Sequence, residues 1–173
     1  ARRRFLRSEA TESSHIEHQM QLQALGHPGT AFALLLDDRL VFQLAPATGL
    51  AERVHDLLGA RLADDLLDVG EFEAGGIRIC GLIGKPGVSR STRQQQILFV
   101  NGRAIENPAL NHGLREGYHT ALMKGQFPVT FLFLELDPAR VDVNVHPAKR
   151  EVRFRDPNTV REAVAAAVRN TLE

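Results

Sequence analysis

Residues 97–136 read "ILFVNGRAIENPALNHGLREGYHTALMKGQFPVTFLFLEL". The run "ILFV" has strand character and turns at Asn101-Gly102. From 107 to 124 the apolar period becomes helical: Leu110, Leu114, Tyr118, Ala121 and Leu122 fall on one stripe, and Gly125 offers a stop. "VTFLFLEL" then reads as a buried strand. Strand, helix and strand in this order look like a crossover within one sheet. Between parallel strands such crossovers are right-handed in about 98% of cases.

The same alternation of periods continues on both sides. Ser14 and Glu17 have capping-box spacing and Gly26 can end a helix, so 14–25 is expected to be helical with Ile16 and Met20 facing inward. "TAFALLLDD" and "RLVFQLA" suggest a hairpin around Asp37-Asp38-Arg39. Leu50, Val54, Leu57 and Leu58 recur at helical spacing after Thr48-Gly49, with Gly59 as the end and a short helical piece beyond it. A second hairpin is expected at Gly75-Gly76, with Ile77, Ile79, Gly81 and Ile83 on one face. "KPGVSRSTRQQQ" lacks apolar period and reads as an exposed, mobile loop, whereas Asp156-Pro157 suits the cap and first turn of a final helix. The fold class is therefore α/β (α+β), a mixed sheet with helices packed on it.

Composition narrows the function classes. A chain of 173 residues with 43% hydrophobic residues is long enough for one compact domain. The expected organisation is a basic segment over 1–13 followed by a single domain over 14–173. No run approaches the roughly 20 apolar residues of a membrane span, and "ARRRFLRSEATESSH" has no hydrophobic signal core, so a cytoplasmic protein without a membrane partner is expected. Lone Cys80 can form neither an internal disulfide nor a cysteine zinc site. Lys plus Arg equals Asp plus Glu at 21 each, so any nucleic-acid surface must be local. Its candidates are Arg2, Arg3, Arg4 and Arg7, the loop Lys85, Arg90 and Arg93, and the terminal Lys149, Arg150, Arg153 and Arg155. The start at Ala1, in a basic segment, reads as part of something longer.

Most chemical motifs fail on inspection. "CGLIGKPG" has Ile79 where a phosphate loop needs its first glycine, and Pro86 where it needs a magnesium-binding hydroxyl. His112, Glu116 and His119 share a helix face, but one face rarely closes a metal site without outside ligands, so no metal is expected there. His15, His18 and Glu12 read the same way. "VDVNVHPAKREVRF" over 141–154 differs. Val141, Val143 and Val145 should point one way, and Asp142, Asn144 and His146 the other. Pro147 fixes its own φ and holds His146 extended, so Lys149 is presented on a stiff turn able to give three donors to a phosphate. By spacing alone, an exposed hairpin lysine is the plainer reading.

That stretch, with "ILFVNGRAIENPALNHGLREGY" and the opening "ARRRFLRSEATESSHI", resembles the MutL family of DNA mismatch-repair proteins. Residues from about Gly26 to Gly76 are compatible only in pattern. The resemblance implies that the chain is the second, transducer-like domain of an N-terminal ATPase region of the gyrase, Hsp90 and histidine-kinase type. It also implies the rare left-handed βαβ crossover, as in the second domain of gyrase B. The lysine of H-P-x-K, here Lys149, would contact the ATP γ-phosphate bound in the preceding domain, with Asn144, His146 and Pro147 supporting its turn.

ATP and Mg2+ are then cofactors of the full-length protein, with none expected on this chain alone. The implied partners are DNA, the chain's own ATPase domain, a MutS-type mismatch-recognition protein and a second copy in a full-length homodimer. DNA contacts would fall to Arg2, Arg3, Arg4, Lys85, Arg90, Arg93 and Arg103. Some family members are basic just after N-G-R, where this chain has "AIENPAL". The alternative function is a stand-alone nucleic-acid-binding module of the same fold.

Overall fold

The computed structural model describes residues 2–143 and 152–173, with only the backbone described for 2–9. The chain divides into two compact units, Ala1–Asp64 and Asp65–Glu173.

The first unit opens with helix α1 (Arg2–Gly26). It starts twelve residues before the expected Ser14, so a boundary at 13/14 falls inside a continuous helix. Its packing is concentrated at the C-terminal end, where Leu22, Ala24 and Leu25 are buried, while Ile16, expected inward, is 46% exposed. Strands β1 (Phe32–Leu36) and β2 (Arg39–Leu44) form the expected hairpin. Asp37 and Asp38 carry its turn at φ 51 and 60, a conformation that aspartate tolerates better than most residues. Helices α2 (Leu50–Leu58) and α3 (Ala60–Asp64) complete the unit.

Arg53 of α2 holds this unit together. It is fully buried, and among the described residues no carboxylate forms an ion pair with it. Its Nη1 donates to Ala24 O at 2.8 Å and His27 O at 3.3 Å. Its Nη2 donates to Pro28 O at 2.7 Å, Thr30 O at 2.7 Å and Ala45 O at 2.9 Å. Ala24 lies in the last turn of α1, where helix carbonyls lack intrahelical donors and the helix dipole is negative. The guanidinium also lies 5.6 Å from the centre of the Phe32 ring. One cation thus satisfies the end of a helix, a turn and the strand exit.

The second unit is the mixed sheet with helices packed on it. Its elements are β3 (Leu66–Asp68), β4 (Phe72–Ala74), β5 (Ile77–Gly84), β6 (Ser89–Arg90), β7 (Gln96–Val100), β8 (Arg103–Ile105), α4 (Pro108–Tyr118), β9 (Phe127–Pro128), β10 (Thr130–Glu135), β11 (Val141–Val143), β12 (Val152–Phe154) and α5 (Pro157–Leu172). The main sheet runs β3-β5-β10-β7-β8, with β4 also on β5. Strand β10 is antiparallel to β5 and parallel to β7, so β7, α4 and β10 form the expected crossover. Ile77, Ile79 and Ile83 are buried as read. They join Leu98, Leu110, Leu114, Leu132, Val164 and Val168 in the core.

Helix α4 ends earlier than the expected 124. His119 takes φ 47 and its N–H bonds back to Arg115 O, after which one 3₁₀ turn covers His119–Ala121. Gly113 and Gly117 let α5 approach closely: a Cβ on Gly117 would lie 2.5 Å from Val168 Cβ, and one on Gly113 2.8 Å from Arg161 O. The 85–96 loop is largely exposed, as expected, and is held by a short pairing and local turns. Ser89 and Arg90 pair with Pro128 and Phe127, Val88 N donates to Lys85 O at 2.9 Å, and Gln96 N donates to Arg93 O at 3.0 Å.

Two outcomes are expected. Arg53→Met should cost about 3 kcal/mol or more, because several buried carbonyls lose their donor; amide exchange across residues 20–58 should rise while that of α4 holds. Asp156 accepts from Thr159 Oγ1 and Thr159 N at the start of α5, and these bonds hold its carboxyl below its ordinary value. Its stabilisation is therefore present above about pH 4 and lost as pH falls through the lowered folded value. Asp156→Ala should remove that part of the acid limb in a stability-versus-pH series.

Candidate functional site: a braced hairpin and a basic cleft

Lys149, Asn144, His146 and Pro147 lie outside the described residues, as does Val145. What is described is the stem that carries them. Strands β11 and β12 pair antiparallel, Val141 with Phe154, Asp142 with Arg153 and Val143 with Val152. Arg155 N donates to Arg140 O at 3.0 Å and extends the ladder away from 144–151. Val141, Val152 and Phe154 are buried in the core. Val143, expected to share the inward face with Val141, is 61% exposed.

Two side chains brace the stem. Arg140 Nη1 donates to Gly75 O at 2.8 Å, tying its base to the β4–β5 turn. Asn107 caps α4, its Oδ1 accepting from Ala109 N at 2.8 Å, while its Nδ2 donates to Val152 O at 2.8 Å. Asn101, at φ 48 in the β7–β8 turn, accepts from Leu136 N at 3.1 Å and so fixes the exit of β10.

Beside the first turns of α4 lies a cleft of about 330 Å³, near the lower end of ligand-pocket sizes. Arg93, Gln96, Asn111, His112, Arg115 and Phe127 line it, and among the described residues no acidic side chain does. The Arg93 guanidinium lies 4.9 Å from the centre of the Phe127 ring. Gln96 Nε2 donates to Asn111 Oδ1 at 2.8 Å. Cations and amides without an opposing carboxylate suit an anion or a phosphodiester backbone.

Within the second unit the structure separates the expected cations. Arg93 enters the cleft beside His112 and Arg115, which were not foreseen as its neighbours. Lys85 and Arg90 are not among its lining residues; Arg90 pairs with Phe127, and its Nη1 donates to Ser89 O at 2.9 Å. Arg103 pairs with Val100, at the far end of β7 from Gln96. Arg2, Arg3 and Arg4 belong to the first unit. The trio His112, Glu116 and His119 does not converge: Glu116 pairs with Arg161 at 3.3 Å, and His119 has left the helix. Tyr118 Oη donates to Gly84 O at 2.6 Å, fastening the end of α4 to the start of the loop.

Comparison with known proteins agrees across sequence and fold. Residues 54–173 match the family model described as "DNA mismatch repair protein, C-terminal domain". The DNA mismatch repair protein MutL of Opitutus terrae is 48% identical over 168 residues, 97% of this chain and 27% of that protein. The MutL protein of Akkermansia muciniphila is 42% identical over 173 residues, 100% of this chain and again 27% of its own length. The chain thus spans about a quarter of these relatives. Among solved structures, the N-terminal domain of a DNA repair protein superposes with a TM-score of 0.75 at 22% identity, covering 98% of this chain and 55% of that one. The Aquifex aeolicus MutL ATPase domain complexed with ADP gives 0.52 at 22% identity, covering 90% and 48%.

Tyr118 offers a direct check on the local geometry, since it is the chain's one tyrosine. Burial pushes its hydroxyl well above the ordinary value near 10. Phenolate absorbance should therefore appear only together with alkaline unfolding. Titration with a midpoint near 10 in the folded chain would contradict the buried bond to Gly84.

Proposed function

The chain belongs to the MutL family of DNA mismatch-repair proteins, and on that footing we propose that it is the transducer part of a mismatch-repair ATPase, supplying Lys149 to the γ-phosphate of ATP. The observation that carries this reading is the braced stem. The H-P-x-K residues 146–149 lie between strands paired at Val143 and Val152, and those strands rest on the core of the second unit. A lysine fed from such a stem loses less freedom on meeting a phosphate than one on an unbraced loop.

The γ-phosphate is what ATP has and ADP lacks. A lysine that meets it from a separate domain makes the posture of that domain depend on nucleotide state. ATP, with Mg2+, supplies the hydrolysable phosphoanhydride. Lys149 holds charge on the terminal phosphoryl oxygens, and Asn144, His146 and Pro147 shape the turn. The basic cleft on α4 is the contact for DNA backbone, with Arg93 and Arg115 as its cations. MutS-type recognition proteins and a second full-length copy are the partners that such a nucleotide-dependent posture would address.

In the longer protein, Lys149→Ala should lower ATP turnover by on the order of 10²-fold, a typical loss for one transition-state charge contact. Unfolding of the 173-residue chain should stay within about 0.5 kcal/mol. Unchanged turnover removes the assignment. For the cleft, binding of a single-stranded oligonucleotide should weaken steeply with salt, and Arg93→Ala and Arg115→Ala should each reduce the log–log salt slope by about 0.7. Tight binding by this chain alone at physiological salt would favour a stand-alone nucleic-acid module instead.

A further inference from the structure

We propose that the sheet face turned away from α4 and α5 carries a docking groove for a basic, apolar segment of a protein partner, with Glu73 and Glu135 recognising its cations. The groove is independent of Lys149 and of the basic cleft. Strand alternation builds it. Ile77, Ile79, Leu132, Leu134 and Leu98 join the helix-side core, so Arg78, Cys80, Phe133, Glu135 and Phe99 between or beside them face the other way. Register then sorts these side chains into two rows. One is charged: Glu73 of β4 lies opposite Arg78 of β5, which lies opposite Glu135 of β10. The next is apolar: Cys80 lies opposite Phe133, and Phe133 opposite Phe99.

The apolar row is where this face opens to water. Phe131 and Phe99 are buried, whereas Phe133 is half-buried and Cys80 exposed. The Phe133 ring stacks on that of Phe99, with centroids 4.6 Å apart and 10° between the planes. This stack makes a fixed floor for a groove of about 480 Å³, larger than the basic cleft. A sheet face turned to water ordinarily carries polar side chains at such positions.

Electrostatics select the occupant. Glu71, Glu73 and Glu135 line the groove against one cation, Arg78, which is already bonded to Glu135. That bond and the charge of Glu135, followed by Glu73 and Glu71, raise the guanidinium above its ordinary value. Burial pushes the Cys80 thiol up, and Glu135, Asp68 and Glu71 push it the same way. Such a field repels nucleic acid. Nor do the carboxylates converge on a metal: among the described residues no group of His, Cys, Asp and Glu is arranged to hold one. Guanidinium or ammonium groups on the carboxylates, with an aliphatic side chain over Cys80 and Phe133, satisfy both rows. Glu73 and Glu135 stand two strands apart, about 10 Å, which is the span of three residues of extended chain. Two basic residues separated by an apolar pair match that spacing.

Cys80 is the chain's only cysteine and lies in the groove, so its alkylation reports occupancy. The probe is the acetylated, amidated hexapeptide Lys-Arg-Leu-Leu-Arg-Lys. At about four times its Kd it should slow modification by N-ethylmaleimide about fivefold. At the same concentration, peptides with Ser-Ser at the centre, or with Glu at every basic position, should change the rate by less than about twofold. Each variant is referred to its own peptide-free rate. Glu73→Gln should weaken the probe about threefold and Arg78→Gln should tighten it about threefold, within the range of exposed charge pairs. Both side chains are exposed, so the fold is expected to hold.

Absence of protection would overturn the proposal. So would equal protection by the serine or acidic peptide, or charge variants that shift the probe alike or not at all. In the longer protein, read by peptide mass spectrometry, Cys80 should react as fast as in the 173-residue chain and gain the same protection. A Cys80 already shielded there would give the groove to a neighbouring domain, and shielding that grows with the concentration of the chain would give it to a second copy; either result contradicts a separate basic partner.

Discussion

Parallel pairing of Gln96–Val100 with Thr130–Glu135 constrains everything that follows it in the second unit. Parallel neighbours cannot be joined by a tight turn, so the chain must leave the sheet, travel back and re-enter. It does so through α4, which is thereby laid on the sheet face where Ile77, Ile79, Leu98 and Leu132 are buried. The return also sets the N-terminus of α4 beside β12, within reach of Asn107. Closure by α5 depends on the same helix, because bulk at Gly113 or Gly117 would strike Val164 or Val168.

Elements with a strong apolar period were legible from residue types alone. Ile77, Ile79 and Ile83 alternate into the core, and Leu110, Leu114 and Tyr118 mark the buried stripe of α4. What escaped was structure carried by backbone groups distant in sequence. Arg53 lies in an amphipathic helix and reads as a surface arginine, yet its acceptors are carbonyls eight to 29 residues away. No side-chain pattern records a carbonyl. The 85–96 loop is exposed as expected, but its pairing with Phe127 and Pro128 escaped for the same reason. Helix α4 stops at Tyr118 through the positive φ of His119, a turn that histidine does not advertise as glycine does.

The candidate site was legible in the same uneven way. The alternation beginning at Val141 marked a strand, and that strand pairs with 152–154, although Val143 faces outward; His146 and Pro147 lie outside the described residues. The helical period was expected to begin at 107, but the cap at Asn107 was not foreseen, and its second bond spans 45 residues. Equal totals of acidic and basic residues concealed the cleft, because only folding gathers Arg93, His112 and Arg115 without a carboxylate between them. Net charge was the wrong scale on which to look for it.

The claim on which the functional reading turns is that Lys149 meets the terminal phosphate of ATP. An acyl-phosphate ATP probe places its reactive carbonyl on that phosphate and acylates the nearest lysine amine. Applied to the longer protein and read by peptide mass spectrometry, it should label Lys149, with excess ATP suppressing the signal and ADP doing so weakly. Labelling confined to other lysines, in a protein that binds the probe competitively with ATP, would contradict the assignment.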